Sequence, residues 1–217
     1  MIDKIRKKLL HRPYLFFTIV FIVTCIGVFA SFLLAHKTFI WVGETQDGLV
    51  QHYNSLMYYG KYLRHILTNF EIPMWDFSLG YGADVISTLH YYTIGDPLNL
   101  LSIFVPSQYT EYLYDFLIIL RLYLAGIFFV MYCQCMHKNK GYSVLGAIVY
   151  VFCGYALIAS VRHPYFINPM IYLPILSISL IEPISLLTCI METNKVSGRI
   201  CFLISSTPII PSLSGFR

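Results

Sequence analysis

The residues best suited to chemistry lie in the stretch that begins at Asp47. Asp47, Gln51 and His52 fall within six residues of one another. A carboxylate beside an amide and an imidazole can accept a proton from a hydroxyl or hold a divalent cation. Because aspartate is also a common N-cap, a purely structural role for Asp47 is the alternative. The stretch therefore supplies one candidate catalytic residue, Asp47, with a possible metal role, and two candidate substrate-binding neighbours.

The spacing of apolar residues predicts a two-faced helix over residues 47–67. Apolar or small residues recur at alternating steps of four and three, which places on one side Leu49, Tyr53, Leu56, Gly60, Leu63 and Leu67. Polar residues take the opposite side, namely Asp47, Gln51, Asn54, Tyr58, Lys61 and His65. We expect this amphipathic helix to lie in the outer membrane interface with its polar face toward water.

An aromatic, glycine-containing loop follows this helix. Aromatic ring faces beside carboxylates are suited to binding carbohydrate. The alternative explanation for these aromatic residues is a belt at the membrane interface. The candidate substrate-binding residues in the loop are Trp75, Asp84, His90 and Asp96. Asp96 also has a local explanation, because an aspartate cap followed by Pro97 starts a helix that we expect to reach about Phe104. No comparable local role is evident for Asp84 from the sequence.

Two arginines are further candidates for substrate binding. Arg121 lies inside a long apolar run, where a cation is costly and usually faces a partner or a cavity. Asp115, the acidic residue six positions earlier, is not on the same helix face as Arg121, so we do not expect a salt bridge between them. We expect the partner of Arg121 to be a residue of another helix or an anionic lipid phosphate. Arg162 lies with His163 at the end of a later apolar run, and it either binds the same phosphate or flanks the membrane.

The composition shows what kind of protein must position these residues. Of the 217 residues, 57% are hydrophobic and 12% are charged, against about 25% charged in an average soluble domain. A soluble enzyme is therefore not expected. The formal charge of +4 comes from residues segregated along the chain, which argues against a nucleic-acid partner and for the lipid bilayer.

Hydropathy and charge predict the topology. Residues 14–35 contain no charge and are long enough to cross a bilayer, and the basic residues before them place the N-terminus in the cytoplasm. Eight of the eleven acidic residues fall in 36–115, which indicates an external loop. We predict an all-α membrane protein, a polytopic helix bundle of three to four spans, with segments 1–13 (cytoplasmic), 14–35 (span), 36–112 (external loop with interfacial helices), 113–136 (span), 137–141 (cytoplasmic turn), 142–161 (span), 162–165 (external turn) and 166–190 (fourth span).

The last residues, 191–217, are atypical of the rest of the chain. All 18 tyrosines precede Leu173, whereas serine rises from eight in the first 176 residues to eight in the final 41. We expect either a truncated, frame-shifted reading or a divergent tail. A truncated chain would lack part of the fold.

Three long motifs resemble a known family. DGLVQHYNSLMYYGKYLR (47–64), IPMWDFSLGYGADVISTLHYYTIGDPLNLLSIFVP (72–106) and LIILRLYLAG (117–126) look like the YfhO family of bacterial multi-pass membrane proteins. The resemblance covers about residues 5–175 and includes the turn RHPYFINPMIYLP (162–174).

The resemblance implies a glycosyltransferase of GT-C-like architecture in the bacterial cell membrane. Such an enzyme moves a sugar from a polyprenyl phosphate to a cell-envelope polymer such as lipoteichoic acid, and Asp47 matches its catalytic position. A divalent cation is possible. Apart from the resemblance, we hypothesise that Arg121 or Arg162 offsets the charge of the departing phosphate. A transporter or flippase, motivated by Arg121, and an inactive truncated fragment are the alternatives.

Overall fold

Helices dominate the computed structural model, which describes residues 12–43 and 46–193, without the side chains of residues 91, 92 and 182–193. Most of the predicted segments 1–13 and 191–217 lies outside the described residues. The α-helices of the described part are α1 (Pro13–Val28), α2 (Ala30–Leu34), α3 (Asn54–Asn69), α4 (Val85–Leu89), α5 (Thr110–Cys135), α6 (Lys140–Val151), α7 (Gly154–Arg162) and α8 (Asn168–Thr193).

Tighter and wider helical turns and a small hairpin connect these helices. The 3-10 turns are Pro97–Phe104, Ser107–Tyr109 and Pro164–Ile167, and the π-helical turns are Asp47–Tyr53 and His90–Ile94. Strands β1 (Trp75–Asp76) and β2 (Ala83–Asp84) pair antiparallel, with Trp75 opposite Asp84. The chain divides into two compact units after Pro174, and the packing described below belongs to the first.

The lengths and compositions of the helices fit a membrane protein. Among the described residues, Ser107–Cys135 and Pro164–Ile181 are long and apolar enough to cross a bilayer. Helices α6 and α7 are also long and apolar enough if the two, which are bent relative to each other, are counted as one span. Helix α1 is apolar but has only 16 residues. The predicted fold class, an all-α membrane protein, is confirmed, with two or three candidate spans in the described part of the chain.

The predicted third span, residues 142–161, is interrupted in the structure. Helix α6 ends at Val151, Cys153 has extended backbone angles, and α7 starts at Gly154 with its axis bent by 47° from that of α6. A glycine at this point weakens the helix because it has no side chain to restrict its backbone. The bend gives α7 a direction of its own, with Arg162 at its end.

Aromatic packing joins α1 to α5. Phe17 and Phe21 are buried and both contact the ring of Tyr123, whose hydroxyl lies 3.0 Å from the hydroxyl of Thr18. The Phe17 ring rests directly on Gly126, where a Cβ atom would overlap it. Contact between these two helices therefore depends on the absence of a side chain at residue 126.

The segment between α2 and α5 is an ordered structure held by polar contacts. Arg64 of α3 donates to the carbonyls of Ser102 at 2.8 Å and Val105 at 2.7 Å, which lie at the end of the Pro97–Phe104 turn. Gly60 permits this close approach, because a Cβ atom there would lie 2.8 Å from the Ser102 carbonyl. Tyr58 donates to Asp76, and this bond ties the hairpin to the same helix.

We predict that Gly126→Ala destabilises the protein and that Gly27→Ala does not. Each change adds one methyl group to a helix, but a Cβ at residue 27 meets nothing within 4 Å, whereas one at residue 126 overlaps the fully buried Phe17. Overpacking of this kind costs about 1–3 kcal/mol. Thermal unfolding in detergent measures it, and equal melting temperatures for the two variants would contradict the packing described.

Candidate functional site

Asp47 lies inside the protein, whereas the sequence pattern predicts it on the water-facing side of a helix. It is 8% exposed and belongs to a π-helical turn, which follows Gln46 in the left-handed conformation. A π-helical turn places more residues in each turn than an α-helix does, so spacing by 3.6 misassigns its faces. Gly48 also packs against the backbone of Trp41, where a Cβ atom would lie 2.6 Å from the Trp41 nitrogen.

The Asp47 carboxylate contacts polar groups from its own helical turn and from a distant part of the chain. Arg162 Nε donates to Asp47 Oδ2 at 3.0 Å, and His163 Nε2 lies 3.4 Å from the same oxygen. Gln51 Nε2 donates to Oδ1 at 3.3 Å. The carboxylate therefore combines an ion pair with an amide contact and an imidazole contact.

Two histidines extend this group into the protein. His52 Nε2 and His163 Nδ1 are 2.8 Å apart, and their rings meet edge to face. The ring of Tyr165 lies 5.2 Å from that of His52. The Asp47 cluster, by which we mean Asp47, Gln51, His52, Arg162, His163 and Tyr165, thus joins the π-helical turn before α3 to the turn after α7.

Both imidazoles are neutral at pH 7. Burial lowers the pKa of His52 to about 4; the neighbouring His163 and Arg121 act in the same direction, and Asp47 opposes them. Burial also lowers the pKa of His163, again against the effect of Asp47. A neutral imidazole has one donor and one acceptor nitrogen, so the pair forms a directional hydrogen bond.

Arg121 belongs to a second buried cluster. Its Nη2 lies 2.6 Å from Asp96 Oδ2 and 3.0 Å from Asn99 Oδ1, and Asp96 and Arg121 are 4% and 3% exposed. Asp96 also accepts from the backbone N–H of Leu98, as predicted for a cap, and the helix that it starts ends at Phe104. Arg121 is therefore paired with the loop between α4 and α5, while Asp115 accepts from the Phe39 backbone.

The other candidate residues lie on the hairpin and at the two ends of α4. Asp84 accepts from the Ser87 backbone N–H at 2.6 Å and so caps α4, a local role that the sequence reading missed. His90 is exposed, and its Nδ1 lies 2.6 Å from the Ser87 carbonyl. Trp75, opposite Asp84, is 56% exposed. The candidates from residues 36–112 are thus divided between the surface of the protein and the two buried clusters.

The sequence reading did not select His163 and Tyr165 as site residues. The sequence indicates for His163 only what it indicates for Arg162, a phosphate contact or a flank of the membrane, because nothing in its immediate neighbourhood indicates a partner more than 100 residues away. Within the part of the chain that the structure describes, no group of three or more histidine, cysteine, aspartate or glutamate side chains could hold a metal ion.

A helical membrane protein with a buried acid–base cluster is the class that the fold and site define. The chain belongs to the YfhO family of bacterial membrane proteins, because the family profile matches residues 15–185. The match ends ten residues beyond the limit of about 175 expected from the motifs. No curated protein and no solved structure matches the chain significantly.

We predict that protonation of His52 destabilises the fold in mild acid. Because the pKa of His52 is lowered by folding, the unfolded chain binds the proton more tightly, and stability falls as the pH drops from about 6.5 toward about 4. His52→Gln should reduce this fall in melting temperature. His65→Gln, at an exposed position of α3, is the matched control and should retain the wild-type pH dependence. Identical pH profiles for wild type and His52→Gln would refute the assignment.

Proposed function

We propose that this chain acts in a membrane glycosyltransferase that moves a sugar from a polyprenyl phosphate to a cell-envelope polymer such as lipoteichoic acid. Asp47 would be the catalytic base. The observation that carries the proposal is the buried Asp47 carboxylate, which Arg162 and Gln51 hold beside a neutral imidazole pair. Membership of the YfhO family supports it through the resemblance to GT-C-type enzymes.

In the proposed reaction, the hydroxyl of the acceptor attacks the anomeric carbon of the sugar. A carbon–oxygen bond to the acceptor forms, the bond between the anomeric carbon and the phosphate oxygen breaks, and the lipid phosphate departs with the bond electrons. Asp47 takes the hydroxyl proton. The Arg162 side chain is 41% exposed and in contact with Asp47, so it is the cation best placed to meet the phosphate.

We also propose that the hairpin and α4 contact carbohydrate. Trp75 is exposed and pairs with Asp84, which caps the start of α4, and His90 is exposed at the end of the same helix. An exposed ring beside a carboxylate offers a stacking face and hydrogen-bond acceptors to a sugar. This role requires the 36–112 loop to be external and the N-terminus to be cytoplasmic, an orientation that the basic residues before residue 14 favour.

Asp47→Asn tests the catalytic assignment. The substitution keeps the shape of the side chain but removes the base, so we expect transfer of labelled sugar from polyprenyl phosphate to envelope polymer to fall by about 100-fold or more. The assay uses membranes of the native cell in which the variant replaces the wild-type protein. Immunoblotting of those membranes verifies equal protein levels.

Glu71→Gln is the matched control, because it also changes a carboxylate to an amide and Glu71 is exposed and lies outside both clusters and the hairpin. We expect it to retain transfer to within a few fold of wild type. Normal transfer by Asp47→Asn at a normal protein level would exclude Asp47 as the base. Transport of a lipid-linked sugar without any glycosyl product, in vesicles that contain the purified protein, would instead favour a flippase.

A further inference from the structure

A small cavity with a mixed polar and apolar lining lies between the two buried clusters. Its volume is about 20 Å³, and the residues of its lining that carry polar groups are His52, Asn99, Tyr114, Arg121 and Tyr165. His52 belongs to the Asp47 cluster, whereas Asn99 and Arg121 belong to the cluster around Asp96. The cavity is therefore the point at which the interior of α5 meets the candidate site.

Two polar atoms of the lining residues have no hydrogen-bond partner among the described residues. They are the hydroxyl of Tyr114 and Nε of Arg121, and both residues are 3% exposed. Leaving such a group without a partner costs about 1–3 kcal/mol, and buried water is the usual remedy. Both residues line this cavity, and a ligand there must accept from Arg121 Nε, which can only donate.

The size of the cavity decides which ligand fits. A water molecule needs at least about 10–15 Å³ of this kind of volume and two to four polar partners. A phosphate group or a sugar ring is several times larger than a water molecule. The cavity therefore suits a single water, and it does not suit the lipid phosphate considered for Arg121 on the basis of the sequence.

We propose that this cavity binds one water molecule that links Tyr114 and Arg121 to His52. Arg121 is then a positioning residue, which acts on Asp47 through the water, His52 and His163. The inference does not rest on the proposed glycosyl transfer, because it concerns only the hydrogen bonds that orient the two imidazoles.

The chemistry of the partners sets the direction of these bonds. Arg121 Nε can only donate, so the water accepts from it and keeps its own hydrogens for other partners. The Tyr114 hydroxyl can donate or accept. The proton position on a neutral imidazole follows from the hydrogen bonds that its two nitrogens make. A water bound beside His52 thus favours one tautomer of His52, and through the 2.8 Å contact it favours one tautomer of His163.

Tyr114→Phe tests this link, because it removes one hydroxyl and keeps the ring. The probe is the protein with ¹⁵N-labelled histidine in nanodiscs, and the readout is the ring-nitrogen chemical shifts of His52 and His163. We expect Tyr114→Phe to change the ratio of the two neutral tautomers of His52, and His163 to change with it. Tyr112→Phe, at a 64% exposed position of the same helix, should leave both histidines as in the wild type.

Two results would overturn the inference. One is a folded Tyr114→Phe protein, with a wild-type helical circular dichroism spectrum, whose histidine shifts are unchanged. The other is a measurement on the wild type, which does not depend on the folding of any variant. Water-edited solid-state NMR should show magnetisation transfer from bound water to Tyr114 and His52. If no such transfer is detected, the water is excluded. Neither readout uses glycosyl transfer, so failure here and failure of Asp47→Asn are distinguishable.

Discussion

The buried ion pair between Arg121 and Asp96 is the interaction on which the rest of the site depends. A cation within a candidate membrane span must be compensated where it lies, and removal of one partner from a buried pair costs about 3–5 kcal/mol. Asp96 meets this need from outside the helix, at 2.6 Å. Because Asp96 also caps the Pro97–Phe104 turn, the same carboxylate fixes that turn against α5.

The position of the turn then determines the position of α3. Arg64 and Gly60 dock α3 onto the end of the turn, one through hydrogen bonds to carbonyls and the other through the absence of a side chain. The π-helical turn that precedes α3 carries Asp47 and His52. The bend between α6 and α7 supplies the other half of the site, because α7 ends at Arg162. Two local irregularities in helices, a wide turn and a bend, thus bring the halves together.

Local signals in the sequence were sufficient for the helical class and for the turn that Asp96 begins. An apolar stretch of span length, or an aspartate followed by proline, specifies its own structure through hydrogen bonds within a few residues. The inward position of Asp47 was not predictable in this way, because the 3.6-residue period does not hold in a π-helical turn. The contacts of Asp47 with Arg162 and of His52 with His163 join residues 115 and 111 positions apart, and no local pattern encodes such pairs.

The arrangement around Asp47 also bears on how the proposed reaction would balance charge. Burial keeps the two histidines neutral, whereas Arg162 brings a fixed positive charge to this carboxylate. Transfer of the acceptor proton to Asp47 would neutralise the carboxylate and weaken its hold on the guanidinium. The negative charge on the departing phosphate would develop in the same step. Arg162 would then exchange one anion for another as the transition state forms, and an interaction gained only at that point lowers the barrier without tightening substrate binding.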